Sequence, residues 1–189
     1  MRALLFDAQM IHTYAPYSVI RAAVENACEA MWLLHPTSRP QRIKHCLKRA
    51  YENVRQSQEF MELAKITPPS RTHAERVQEI RDYSLANGVD PHGVCGRWSA
   101  TVPLRYVDRE VLGGSDMAEA LWRICSGFTH GREWATLGLL ERAVQSTAGN
   151  VANVRLSSSG ETLLDMLCGA TVLTGQAKQL YDVRRRSHR

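Results

Sequence analysis

Nowhere does this chain offer an apolar run long enough to cross a bilayer. Its hydrophobic stretches fall far short of the roughly 18 uninterrupted residues a membrane helix needs. The N-terminal segment does not resemble a secretion signal either, because Ala3-Leu4-Leu5-Phe6 is halted by Asp7, well before the length of a usual apolar signal core. Paired cysteines are also lacking. The five that occur, Cys28, Cys46, Cys95, Cys125 and Cys168, are odd in number, widely spaced and without a CxxC pair. That pattern excludes a disulfide framework. Three or four of them fall on apolar helix faces, where buried free thiols in a reducing compartment are expected. His92 and Cys95 would make half of a zinc site, but no second pair stands at a suitable spacing, so no metal or cofactor is expected. Internal repeats and low-complexity segments are absent apart from the basic end, Arg184 to Arg189. A cytoplasmic protein without membrane contact is the expectation these absences leave.

What the sequence does contain is ordinary globular material: 44% hydrophobic and 23% charged residues in 189. That suits a single helical domain over 1–183 with a basic C-terminal tail at 184–189. The formal net charge of +5 permits a polyanionic partner without demanding one.

Helical spacing dominates. A short helix is expected over 2–13, with Leu4, Leu5, Ala8 and Ile11 on one side. The clearest helix is 17–34, where Ile20, Ala23, Val24, Ala27, Met31 and Leu34 recur on one face. Ser38-Arg-Pro-Gln41 has the form of a capping box and opens a helix to about Lys65, with Ile43, Leu47, Ala50, Tyr51, Val54 and Met61 inward. Its other face carries Arg42, Lys44, Lys48, Arg49 and Arg55, and Pro68-Pro69 closes it. Thr72-His-Ala-Glu75 is a second capping box, and its helix stops at Asn87-Gly88. Glycines and prolines then punctuate 88–114, which predicts a long irregular connection with at most a short turn near 106–112.

Ser115 or Asp116 caps the next helix, whose buried face is predicted as Met117, Ala120, Leu121, Ile124 and Phe128. The pattern resumes with Trp134, Leu137, Leu140, Ala143 and Val144 and ends at Gly149-Asn150, placing Trp134 in the core. Residues 151–156 suit a strand or an extended linker. Ser158-Ser-Gly-Glu161 is a third capping box, opening a last helix with Leu163, Leu167, Ala170, Leu173, Ala177 and Leu180 inward. The fold class is therefore all-α, a bundle of about five to six helices.

One polar constellation stands out, from Leu121 to Arg132. Arg123 and His130 are seven residues apart, which on a continuous helix is about 700° of rotation, so both lie near one face about 10 Å apart along the axis. Side chains lean towards the N-terminus, which tilts His130 back to Arg123 with Ser126 between them. Gly127 and Gly131 allow a backbone or a ligand to come close. Histidine exchanges a proton near neutral pH, and arginine holds a phosphate bidentately. A base at a ribose 2′-hydroxyl beside a cation on the scissile phosphate suffices for RNA cleavage without metal.

An arginine and a histidine with four to six residues between them, within a helical bundle, resemble the HEPN superfamily, and Arg123-(six residues)-His130 matches the outer limit of that spacing. The segments Arg21-Ala-Ala-Val-Glu25-Asn, Trp32-Leu-Leu-His-Pro36 and Ser126–Gly131 (the last as S-x-x-x-H-G) resemble stretches of actinobacterial proteins of this type. The resemblance spans about 17–175, though its specific part is two residues. It implies a metal-independent endoribonuclease of the toxin–antitoxin or phage-defence kind, with RNA as substrate, an antitoxin or operon partner, and a homodimer whose two motifs meet in a cleft. Arg123 and His130 would be catalytic, Ser126 and Arg132 supporting, and Arg21 and Glu25 would contribute from the first long helix. The position after the motif arginine, often polar in active members, is here Ile124. A non-catalytic helical interaction or nucleotide-binding module that dimerises is the alternative. Plainer roles attach to the same residues: Arg21 and Glu25 as an i,i+4 ion pair, His130 as a buried hydrogen-bonding side chain, and the 39–55 face and Arg184–Arg186 as solvated charge. Trp98 and Trp134 could each stack on a base, but Trp134 falls on the apolar stripe and suits the core, which leaves Trp98 the freer of the two.

Overall fold

A computed structural model describes residues 13–67 and 70–186. The helix expected at 2–13, apart from Thr13, the stop at Pro68-Pro69 and the last three residues of the basic tail lie outside those residues. Among the described residues there are seven α-helices and one antiparallel hairpin, so the fold is mainly α with a small β element. The helices are α1 (Ala15–Leu34), α2 (Arg39–Ala64), α3 (His73–Ala86), α4 (Thr101–Glu110), α5 (Met117–Thr129), α6 (Glu133–Leu139) and α7 (Gly160–Arg186), with strands β1 (Glu141–Ala148) and β2 (Val151–Ser157) between α6 and α7. None of the described helices is long and apolar enough to cross a membrane. The chain forms two compact units, Met1–Ala30 with Pro103–Arg189, and Met31–Val102.

In the Met31–Val102 unit, α2 and α3 bury Leu47, Val54, Val77 and Ile80 with Val89 and Val94, and Ile43 and Tyr51 flank them. Thr72 forms the expected capping box: its hydroxyl accepts from the Glu75 N–H at 3.2 Å while Glu75 accepts from the Thr72 N–H at 2.7 Å. The box expected at Ser38 does not form. Pro40 occupies a position whose N–H a cap would use, and Gln41 turns instead to His45 Nε2 at 2.9 Å. His45 is buried, stacked on Trp32 with ring centroids 4.2 Å apart, and its Nδ1 lies 2.7 Å from the Trp32 carbonyl oxygen. The basic face of α2 is largely committed. Arg42 donates to the carbonyls of Pro36 and Thr37, Arg55 pairs with Glu52 and Glu59, and Arg49 lies over the Trp98 ring.

The other unit is built on α1, α4, α5, α6 and α7. Tyr17, Ile20, Val24, Ala27 and Cys28 of α1 are buried, as are Leu163, Ala170, Leu173 and Ala177 of α7. Tyr17 stacks on Phe128 with centroids 4.0 Å apart, and its hydroxyl meets Ser158 Oγ at 2.8 Å. That bond takes Ser158 away from capping, and Ser159 accepts from the Thr162 N–H at the start of α7.

Several expectations require correction. The connection at 88–114 contains a 3-10 turn, Pro91–Gly93, and the ten-residue helix α4. Pro103 sits in the first turn of α4, where the missing N–H costs nothing, and Leu104, Val107 and Asp108 are buried beyond it. Residues 141–148 are a strand, not the end of a helix. The two-residue loop Gly149-Asn150 closes the hairpin, with Gly149 at φ +58 in the first loop position, where a type II′ connection takes glycine. The face buried by α5 is rotated by one residue, to Ala118, Leu121, Cys125 and Phe128, leaving Met117 exposed and Ile124 half-buried. Trp134, expected in the core, is 54% exposed. Arg184–Arg186 are the last turn of α7, not a tail. Among the cysteines, all free, Cys28 and Cys125 are buried, whereas Cys46 and Cys168 are exposed.

Candidate active site

Asp108 begins the construction of the site. Its buried carboxylate accepts from the N–H groups of Ala118 at 2.7 Å and Glu119 at 2.9 Å. These are the unpaired donors at the start of α5, so a residue on α4 caps the helix that Asp116 fails to cap. Glu119 is thereby anchored. One of its oxygens receives Arg123 Nε at 2.9 Å, and the other receives Arg105 Nε at 2.7 Å. The two guanidinia, Arg105 foremost, hold the Glu119 carboxyl down at about 2, well below the ordinary range.

The far end of α5 closes in a Schellman arrangement. The Arg132 N–H returns to the Gly127 carbonyl at 2.8 Å and the Gly131 N–H to Phe128 at 3.1 Å, with Gly131 at φ +59. The helix therefore ends at Thr129, and His130 leaves it as the capping residue. This alters the expected pairing. His130 does not lean on Arg123; its Nε2 stands 3.1 Å from Arg21 Nη1 on α1. Arginine can only donate, so a hydrogen bond in this contact has Nε2 as its acceptor.

Arg21 is fixed from behind. Its Nε and Nη2 donate to Glu25 Oε1 at 3.2 and 3.1 Å, and the same oxygen receives the Trp122 indole N–H at 2.6 Å. The Arg21 guanidinium lies 5.4 Å from the centre of the Trp122 ring. The i,i+4 ion pair anticipated between Arg21 and Glu25 and the neighbourhood of His130 are thus features of one network.

A cleft of about 540 Å³ opens over these groups, lined by Arg21, Trp122, Arg123, Ser126, Gly127, His130, Arg132 and Trp134. Five of the six residues singled out in the sequence face it, and Glu25 supports it through Arg21 and Trp122. The Ser126 hydroxyl and the Arg132 guanidinium have no partner among the described residues. Trp122, Glu119, Arg105 and Asp108 escaped the sequence reading. Only the i,i+4 spacing of Glu119 and Arg123 offered a signal; the other links join residues too far apart along the chain. Gly127 has a specific function in the cleft wall. A Cβ there would stand 2.7 Å from Trp134 Cζ2 and 2.8 Å from Ala135 Cβ, so only glycine lets α6 fold back onto α5 this closely.

Three arginines around one histidine, with a hydroxyl and two indoles, suit a phosphate-bearing ligand that also carries an aromatic group. Among the described residues no three His, Cys, Asp or Glu side chains gather as metal ligands. Comparison with protein-family models, with curated proteins and with solved structures returned no match.

Proposed function

We propose that the chain is a metal-independent endoribonuclease whose cleft binds RNA through Arg21, Arg123 and Arg132 and cleaves it with His130. The observation that carries this reading is the meeting of His130 with three arginines and Ser126 in one open cleft. His130 Nε2 would take the proton of a ribose 2′-hydroxyl. The O2′ atom then bonds to phosphorus as the P–O5′ bond breaks, and the leaving oxygen takes a proton from water. The products are a 2′,3′-cyclic phosphate and a 5′-hydroxyl. The arginines balance the charge that grows on the phosphoryl oxygens. Productive binding requires the RNA phosphate to draw Arg21 off His130, since the guanidinium and the 2′-hydroxyl compete for the same lone pair. A homodimer in the cytoplasm, with an antitoxin or operon partner, belongs to this reading through the resemblance described above.

The contact between Arg21 and His130 also favours a second reading, in which the cleft binds a nucleotide and leaves it intact. Incubation of the purified protein with RNA in EDTA separates the two. The nuclease reading expects cleavage, cyclic-phosphate ends and loss of at least 100-fold in rate in His130→Ala, the scale on which general-base removal acts. No cleavage of any RNA, or undiminished cleavage by that variant, sinks it.

A further inference from the structure

We infer that Trp134 is the platform on which the base beside the bound phosphate stacks, so that the cleft selects unpaired nucleotides. The inference rests on the RNA-binding part of the reading above and adds a specificity-determining residue to it.

Trp134 is held in place yet open. Its neighbour Ala135 is fully buried, and the far edge of the indole is seated against Gly127, but the residue is 54% exposed. An apolar ring of this size anchored at a cleft rim and left in water has surface to give to a ligand. The other indole in the cleft is already engaged, because Trp122 gives its N–H to Glu25 and lies beside the Arg21 cation. Trp134 has no such commitment among the described residues. Two residues before it stands Arg132, a cation without a carboxylate partner among the described residues, and the Schellman turn that ends α5 fixes where Arg132 and the start of α6 follow. A phosphate on Arg132 therefore brings its own nucleoside within reach of the Trp134 ring. In a duplex each base face is already covered by its neighbours, so only a single strand can offer one.

The probe is a short 2′-O-methyl RNA, which keeps bases and phosphates but cannot be cleaved, used alone and annealed to its complement. Fluorescence anisotropy would measure its binding to wild type, Trp134→Ala and Trp134→Phe, each first shown by circular dichroism to be folded. The single strand should bind more tightly than the duplex. Trp134→Ala should weaken that binding by about 5- to 100-fold, and Trp134→Phe should retain most of it. Equal binding of the duplex, or of Trp134→Ala, or no binding by wild type, overturns the inference. RNA cleavage with binding indifferent to Trp134 removes the platform and leaves the nuclease. Trp134-dependent binding by a protein that cleaves nothing removes the nuclease and leaves the platform.

Discussion

Replacing Gly127 by alanine sets two effects of opposite sign against each other. Inside a helix alanine is more stable than glycine by about 1 kcal/mol, so propensity alone predicts a stabler protein. The added methyl would stand 2.7 Å from Trp134 Cζ2 and 2.8 Å from Ala135 Cβ. The first contact can be relieved by tilting the half-exposed indole off its seat on Gly127. The second cannot be relieved that way. Ala135 is fully buried and its Cβ moves only with α6, which must retreat by roughly 1 Å to restore an ordinary contact. Overpacking of this kind costs about 1–3 kcal/mol, so the net change is a loss of up to about 2 kcal/mol. Urea unfolding followed by far-ultraviolet circular dichroism would register it as a lower midpoint at unchanged slope. Displacement of Trp134 would appear in the near-ultraviolet spectrum. A variant stabler by the full propensity gain, with an unchanged near-ultraviolet spectrum, would refute the close approach of α6 to α5.

Two further predictions concern the support behind Arg123. Asp108→Ala removes the acceptor for two N–H groups at the start of α5 and should cost about 2–4 kcal/mol in the same urea experiment, with Asp108→Asn intermediate; a loss below about 0.5 kcal/mol would sink the capping role. Glu119 titrates at about 2 instead of 4.5, so its ion pairs stabilise the fold fully above the unfolded value and fade as pH falls through the folded one. The stability difference between wild type and Glu119→Gln should be about 1–2 kcal/mol above pH ~5, allowing for solvent screening of the exposed arginines, and should vanish towards pH ~2. A difference that does not vary over that range would argue against the assignment.

Where many residues on one face agree, the sequence was a good guide. Ile20, Val24, Ala27 and Met31 in α1, and Leu163, Ala170, Leu173 and Ala177 in α7, are buried as their spacing predicts. Local polar chemistry was less reliable. Thr72 and Glu75 form their box, whereas Pro40 withholds an N–H at one candidate cap and Tyr17 engages Ser158 at another. Helix α4 was hidden because its buried face includes a carboxylate, Asp108, whose partners lie on a different helix. The extended run expected at 151–156 is β2, whereas β1 was hidden because Ala143 and Val144 continue the helical period of Leu137 and Leu140. For the cleft, the sequence supplied the residue types and part of their grouping. It did not supply the pairing, because α5 stops at Thr129 and hands His130 to Arg21, which is 109 positions away. Trp134 was assigned inward on periodicity that the Schellman turn interrupts.

The hairpin carries a consequence of another kind. Its two strands are exposed along nearly their whole length, and within the described chain no third strand covers either edge. A ribbon of this sort offers unpaired backbone groups to any extended segment that meets it. Glu141, Arg142 and Arg155 put charge on it, and the irregularity between Val144 and Ser146 bends β1 away from the flat form that a neighbour would copy. These are the features by which open strands resist aggregation. Residues that look idle in the folded molecule are therefore constrained by what the chain must avoid in a crowded solution, and changes to them would be felt first in solubility.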